Sequence, residues 1–236
     1  MNFKLLKLAG ISFANFNSLI GEEPFYIWLS KLDLPINVIF DIGANNGGLS
    51  LKLKKIFTNS EIILFEANSI HAKNLELTGF RYFIIVLYKE KTLLPFYNLG
   101  KTGDSIYKEN NLEAYDSIEP TLVETTSLSK FVLENKLPLP DLIKIDTQGS
   151  ELDILKGAVN LLAQVSIIVL EVPILHYNYG AHKIEETLKF MHNNSFIPIK
   201  LVESHIVKDC LVQVDIAFMR LDLINRVFGE KKRKFI

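Results

Sequence analysis

Four times along this chain a short apolar run rich in β-branched residues reaches an acidic residue and gives way to a helical pattern. The runs are residues 37–41 (NVIFD), 61–66 (EIILFE), 141–146 (DLIKID) and 166–172 (SIIVLEV). They close on Asp41, Glu66, Asp146 and, one residue before its end, Glu171. Helical spacing follows at 49–57, 70–78, 151–162 and 183–194. Continuous apolar strands alternating with helices specify an α/β fold with a mainly parallel sheet covered on both faces. A further strand is expected at 81–87 (RYFIIVL), and two closing strands at 196–202 and 211–220. The segment between that last pair is too short for a parallel crossover, so the pair is expected to be antiparallel.

Between residues 88 and 121 the pattern weakens. A strand or hairpin is expected near 92–97, and the rest reads as a long loop of the kind that is functional or mobile. Order returns with a strand at 122–126 and a short helix at 129–135.

The chain has 236 residues, 48% of them hydrophobic, which suits one large domain with a short extension. A formal charge of −1 sets up no global field, so no nucleic-acid partner is expected. One cysteine, Cys210, excludes an internal disulfide framework and a cysteine-based zinc site. Near the start, Lys4 and Lys7 precede an apolar run broken by Ser12 and Asn15. That run has no clear small-residue cleavage site and falls short of the roughly 20 apolar residues of a membrane span. It reads as an amphipathic helix packed on the domain or closing over its cleft, with a cytoplasmic location and no stable membrane insertion. The expected organisation is a helical extension over 1–35, an α/β domain over 36–222 and a basic tail over 223–236, whose run Lys231-Lys232-Arg233-Lys234 is a solvated end.

In open α/β sheets ligands bind outside the carboxyl ends of the strands, so the four acids are expected along one edge. The first of them opens the loop Asp41-Ile42-Gly43-Ala44-Asn45-Asn46-Gly47. Its glycines permit a tight turn and a close approach of ligand to backbone, and the next helix aims free N–H groups at that ligand. Glu66, about 20 residues further on, is placed to accept both hydroxyls of a ribose. The loop lacks the third glycine of a dinucleotide fingerprint, which favours S-adenosylmethionine over NAD. An NAD-dependent oxidoreductase is the alternative within the same fold. A non-catalytic adenosine-binding or scaffold module is the alternative from another class.

At these residues the chain resembles the FkbM family of methyltransferases. The matching segments are Phe40 to Gly47, then Phe65-Glu66-Ala67-Asn68, and above all Leu142-Ile143-Lys144-Ile145-Asp146-Thr147-Gln148-Gly149-Ser150-Glu151 running into Leu155-Lys156-Gly157-Ala158. Leu170-Glu171-Val172 matches the family's next strand, and the likeness covers about residues 37–220. The resemblance implies a seven-stranded Rossmann-like αβα sandwich with an antiparallel last strand. It implies S-adenosylmethionine as cofactor and O-methylation of a hydroxyl on a sugar, polysaccharide or natural product, so the partner is a small-molecule or glycan acceptor. By position, Asp41, Gly43, Ala44, Asn45 and Gly47 take the methionine and ribose part, Glu66 and Ala67 the ribose, and Leu87 the adenine. Asp146 faces the transferred methyl.

The chain departs from the family in three places. Ala67 stands where proline is common, and Tyr88-Lys89 follow Leu87 where a small residue and an aspartate are usual. Ser127-Leu128-Ser129 replaces Thr-Leu-Asp and reads as a changed helix cap. Methyl transfer needs a group that orients the acceptor and takes its proton. Asp146, Glu171 and His176 are the candidates, and no metal is required. Lys144 is expected in mid-strand beside an acid, without a catalytic role. Asp104-Ser105 and the tyrosines Tyr177 and Tyr179 are secondary candidates for the acceptor side.

Overall fold

The computed structural model describes residues 24–98, 103–108, 119–175 and 178–229. In chain order the elements are helix α1 (Phe25–Ser30), β1 (Val38–Ile42), α2 (Gly48–Ile56), β2 (Glu61–Glu66), α3 (Ala72–Leu77) and β3 (Arg81–Ile84). Then come β4 (Val86–Tyr88), β5 (Leu93–Phe96), β6 (Thr121–Ser127), α4 (Leu128–Glu134), β7 (Leu142–Ile145), α5 (Glu151–Lys156) and α6 (Val159–Leu162). The chain closes with β8 (Ile167–Pro173), α7 (Ile184–Asn193), β9 (Phe196–Val207), β10 (Cys210–Arg220) and α8 (Leu221–Phe228).

Strands without a polar side must be covered twice, and one seven-stranded sheet in the order β3-β2-β1-β7-β8-β10-β9 meets that demand. β1 runs parallel to β2 and β7, and β8 parallel to β7. β10 lies antiparallel to both β8 and β9, as the short connection requires. Alternate residues feed two cores. Phe40, Ile143, Leu170 and Phe218 pack under α4, α5 and α7, while Ile39, Leu142, Val169 and Ala217 pack under α1, α2, α3 and α8. The indole of Trp28 stacks on Phe228 at 6.2 Å, which ties α1 to α8. Leu223 and Ile224 of α8 are buried in the second core, whereas the basic run 231–234 and the amphipathic segment 1–20 lie outside the described residues. Among the described residues no helix is long and apolar enough to cross a membrane.

Two expected elements divide. The run 81–87 bends after Ile84, so β3 stays in the main sheet while β4 joins β6 and β5 in a three-stranded sheet beside it. The helical pattern 151–162 breaks into α5 and α6 at Gly157. A Cβ on Gly157 would lie 2.3 Å from the Tyr88 carbonyl oxygen, so only glycine lets α5 close on β4. The altered Ser127 site does cap a helix, its side chain accepting the Lys130 N–H at 3.3 Å.

Gly157 has φ −76°, ordinary for alanine, so in open space Gly157→Ala would stabilise the fold by about 0.4–1 kcal/mol. The Tyr88 carbonyl reverses that sign. Gly157→Ala is expected to destabilise by about 1–3 kcal/mol, measured as the shift in urea midpoint. An unchanged or raised midpoint would contradict the packing described.

Candidate active site

β1 has β2 on one side and β7 on the other, which makes the carboxyl end of β1 the switch point of the sheet. A cleft opens there. Its first cavity, about 850 Å³ including the part open to solvent, is lined by Gly43 and Asn45 of the first loop and by Glu66, Ala67, Leu87 and Asp146. Gly43 has φ +77°, and a Cβ there would meet the Asp146 carbonyl oxygen at 1.8 Å, so the first loop and the β7 turn touch through backbone alone. The Gly43 and Ala44 N–H groups both donate to the Phe65 carbonyl, at 2.9 and 3.1 Å.

Glu66 is an organiser of this cavity as well as part of its wall. Its Oε2 accepts the Asn45 N–H at 2.7 Å and its Oε1 the Asn68 N–H at 2.8 Å. Each oxygen keeps a lone pair facing the cleft. Asn68 donates to Asp104 Oδ2 at 2.5 Å, which draws the segment 103–108 over the cavity. Ser105 Oγ donates to the carbonyls of Thr147 (3.1 Å) and Gln148 (2.9 Å), and the Tyr107 hydroxyl to Asp153 at 2.5 Å. Gly103, Asp104, Ser105 and Ile106 thus line the cavity. The described part of the long loop forms its roof. Asp104 joins Glu66 and Asp146 as an acid on the cavity wall, which Leu87 also lines.

The β7 turn is tied from below. Glu151, buried at the start of α5, accepts the N–H of Thr147 at 2.7 Å and that of Gly149 at 3.0 Å. This holds Gln148 at φ +57°, a left-handed conformation that a side chain seldom adopts. There its amide donates to Asp146 Oδ1 (3.1 Å) and to Glu171 Oε2 (2.9 Å). Asp146 Oδ2 accepts from Lys144 Nζ at 2.8 Å. Burial alone would raise the Asp146 carboxyl, but the Lys144 ammonium and the Gln148 amide outweigh it and hold it below its ordinary value. Glu171 is the opposite case. Burial, with Asp146, Glu151 and Asp215 nearby, pushes it up to about 10, so it keeps its proton at neutral pH.

Asp41 stands one residue before the carboxyl end of β1. It is fully buried within β1, pointing toward α1 and α2, where Ser50 Oγ donates to its Oδ2 at 2.6 Å. Across the sheet it stands level with Lys144, while Glu171 stands level with Asp215 and Asp215 with Glu203. Asp41, Lys144, Glu171, Asp215 and Glu203 thus form a polar row on the second core's face, interrupted by Val169 beside Lys144. A second cavity lies over this row, lined by Tyr26, Asp41, Ala44, Lys144, Glu203 and Asp215, among others. Gly43, Asn45 and Asp146 line both cavities, so the two adjoin at these residues.

The sequence-predicted residues thus separate into groups. Gly43, Asn45, Glu66, Ala67, Leu87 and Asp146 meet at the first cavity, and Asp41 and Ala44 at the second. Gly47 lines neither; it starts α2 in a left-handed conformation, with its N–H on the Ala44 carbonyl. Glu171 is joined to the cleft through Gln148. His176 and Tyr177 lie outside the described residues. Tyr179 is exposed, its N–H bonded to the Lys108 carbonyl. Sequence reasoning missed Gln148, Tyr26, Glu203 and Asp215. Gln148 had a signal in the turn before Gly149; the others depend on pairing across distant strands.

Residues 41–198 match the model of the methyltransferase FkbM domain. The chain is 27% identical over 160 residues to the 2-O-methyltransferase NoeI of Sinorhizobium fredii (strain NBRC 101917 / NGR234), an alignment covering 61% of this chain and 66% of that protein. It is 26% identical over 143 residues to the hexuronic acid methyltransferase AglP of Haloferax volcanii, covering 58% of this chain and 56% of that protein. The chain therefore spans just under two thirds of the first relative's length and little more than half of the second's. Among solved structures it is similar to magnesium protoporphyrin IX methyltransferase (ChlM) from Synechocystis PCC 6803 with bound SAH, at a TM-score of 0.48 and 10% identity, covering 89% of this chain and 88% of that one.

The carboxyls carry a pH signature. Burial and the facing Asp146, Glu203 and Glu151 raise Asp215 to about 7 against the pull of Lys144, while Glu171 stands at about 10. A folded value above the unfolded one means stability that is complete below the unfolded pKa and lost as pH rises through the folded one. Thermal melts are expected to show Asp215→Asn gaining on the wild type from about pH 5 to about pH 8. A constant difference across that range would contradict the raised Asp215.

Proposed function

The chain belongs to the FkbM methyltransferase family, and we propose that it transfers a methyl group from S-adenosylmethionine to a hydroxyl of a sugar-like acceptor. The observation that carries this reading is that two cavities adjoin at Gly43, Asn45 and Asp146, with the Glu66 carboxylate on one side and a carboxyl assembly on the other. The residues fit the cofactor: Glu66 has lone pairs to spare for two hydroxyls, Ile85, Val86 and Leu87 give an apolar wall for adenine, and the Gly43 backbone has no Cβ in the way. Asp104 offers its carboxylate to the adenine amine in place of the family's missing aspartate. When bound, S-adenosylmethionine supplies a methyl on a sulfonium, which an oxygen displaces in line.

The chain's own residues then have separate roles. Asp146 stays ionised, fixed by Lys144 and Gln148, and orients the acceptor hydroxyl. A weak base suffices for the proton, because an alcohol oxygen gaining a third bond takes on oxonium character and becomes strongly acidic late in the step. Glu171, neutral and bridged by Gln148, holds Asp146 in place by accepting one amide hydrogen while Asp146 accepts the other. It acts as a positioning residue, contrary to the expectation of a base. The sugar-like acceptor follows from the relatives, whose names specify 2-O-methylation in one case and hexuronic acid in the other.

Calorimetric titration with S-adenosylhomocysteine and with NAD tests the donor, and binding is expected for the first alone. Glu66→Ala is expected to weaken that binding about tenfold or more, the value of hydrogen bonds to a charged group. Asp146→Asn is expected to lower kcat about 100-fold or more with little change in donor binding. Full turnover by Asp146→Asn on any accepted hydroxyl, or NAD binding in place of S-adenosylhomocysteine, would contradict the reading.

A further inference from the structure

A third cavity, about 510 Å³ including the part open to solvent, lies where the chain leaves β8 and enters α7. Its lining is mixed: Pro173, Ile174 and Leu175 are apolar, and Asn178, His182 and Lys183 are polar. Asn178 has only 4% of its surface exposed, yet its side-chain amide makes no hydrogen bond among the described residues. A buried amide without a partner is costly, so its retention on a cavity wall points to a partner from outside the chain. The cavity also adjoins the working end of the molecule. A Cβ on Gly149 would lie 3.0 Å from the Ala181 Cβ and 3.3 Å from the Asn178 Cβ, so this segment packs on the turn three residues from Asp146. His182 Nε2 stands 3.2 Å from Asp153 Oδ1, and Asp153 Oδ2 accepts the Tyr107 hydroxyl that holds the roof of the first cavity.

The charges around the cavity exclude a strongly ionic occupant. The start of α7 would suit an anion, but Glu185 and Glu186 stand in that turn, and Glu186 already accepts the Lys183 N–H at 3.0 Å. Lys183 on the wall stands against a cation. What fits is a neutral ligand with an apolar face for Pro173, Ile174 and Leu175 and hydroxyls for an amide that both donates and accepts. A pyranose ring has that make-up. We infer that this cavity is a subsite for a second sugar unit of the acceptor, beyond the unit whose hydroxyl meets Asp146. The inference rests on the reading of a sugar-like acceptor, and it makes the acceptor a disaccharide or longer glycan.

The test is a glycan array probed with the full wild-type chain saturated with S-adenosylhomocysteine. The array carries hexoses, uronic acids and N-acetylhexosamines, each as the monosaccharide and as its disaccharides. At least one disaccharide is expected to bind about tenfold or more tighter than its monosaccharide, the value of one or two added hydrogen bonds with apolar contact. Asn178→Ala and Leu175→Ser are each expected to narrow that ratio, and Leu175, half exposed, is replaced without disturbing the core. Mono- and disaccharides bound alike overturn the subsite and leave the sugar-like acceptor standing. A preference that both variants preserve overturns it too, leaving the cavity to water. With S-adenosylhomocysteine bound, a blank array overturns the subsite together with the sugar-like acceptor. Failure to bind S-adenosylhomocysteine overturns the donor reading as well.

Discussion

One buried ammonium holds the functional half of this molecule together. Lys144 sits in the middle of the central strand β7, level with Asp41 and bonded to Asp146, on a face where its neighbours above and below are apolar. A lone cation there would be expelled or neutralised. Asp146, Asp41 and Asp215 outweigh its burial and raise it above its ordinary value, so it stays charged. In return it keeps Asp146 ionised at the mouth of the cleft. Replacing such a group one-sidedly leaves carboxylates uncompensated, which costs far more than the pair itself contributes.

Around that pair the turn 146–150 is built by backbone capture. Glu151 gathers the N–H groups of Thr147 and Gly149, Ser105 donates to the carbonyls of Thr147 and Gln148, and Gly43 closes on the Asp146 carbonyl. With the backbone fixed from three directions, Gln148 is held in a conformation it would not choose and its amide bridges two carboxyls. Strain of this kind persists only where the surroundings over-determine it. The same logic explains the roof: Asn68, itself positioned by Glu66, anchors Asp104, so Glu66 also sets the roof of the cavity.

Much of this was legible in the sequence, and the reasons for the exceptions are physical. The apolar runs gave the parallel sheet, the short 203–210 connection gave the antiparallel pair, and the loop from Asp41 with Glu66 gave the cleft, since each is a local pattern with a fixed consequence. The break of the helical pattern at Gly157 was hidden, because the clash that enforces it comes from Tyr88, far away in the chain. That Asp41 turns onto the face of the second core was not evident, because a strand-terminal acid and an acid one residue inside a strand look alike in sequence, yet pleating separates them. Asp215 and Glu203 reach the row only through the register of β10 with β8 and β9, which no local pattern encodes.

The account stands or falls on two adjoining cavities serving one donor molecule and its acceptor. A crystal structure with S-adenosylhomocysteine measures this most directly. The account predicts the ribose hydroxyls on Glu66, the adenine against Leu87 beneath Asp104, and the sulfur facing Asp146 where the two cavities meet. Ligand bound with its ribose away from Glu66, or lying wholly outside the space between Gly43 and Asp146, would contradict it.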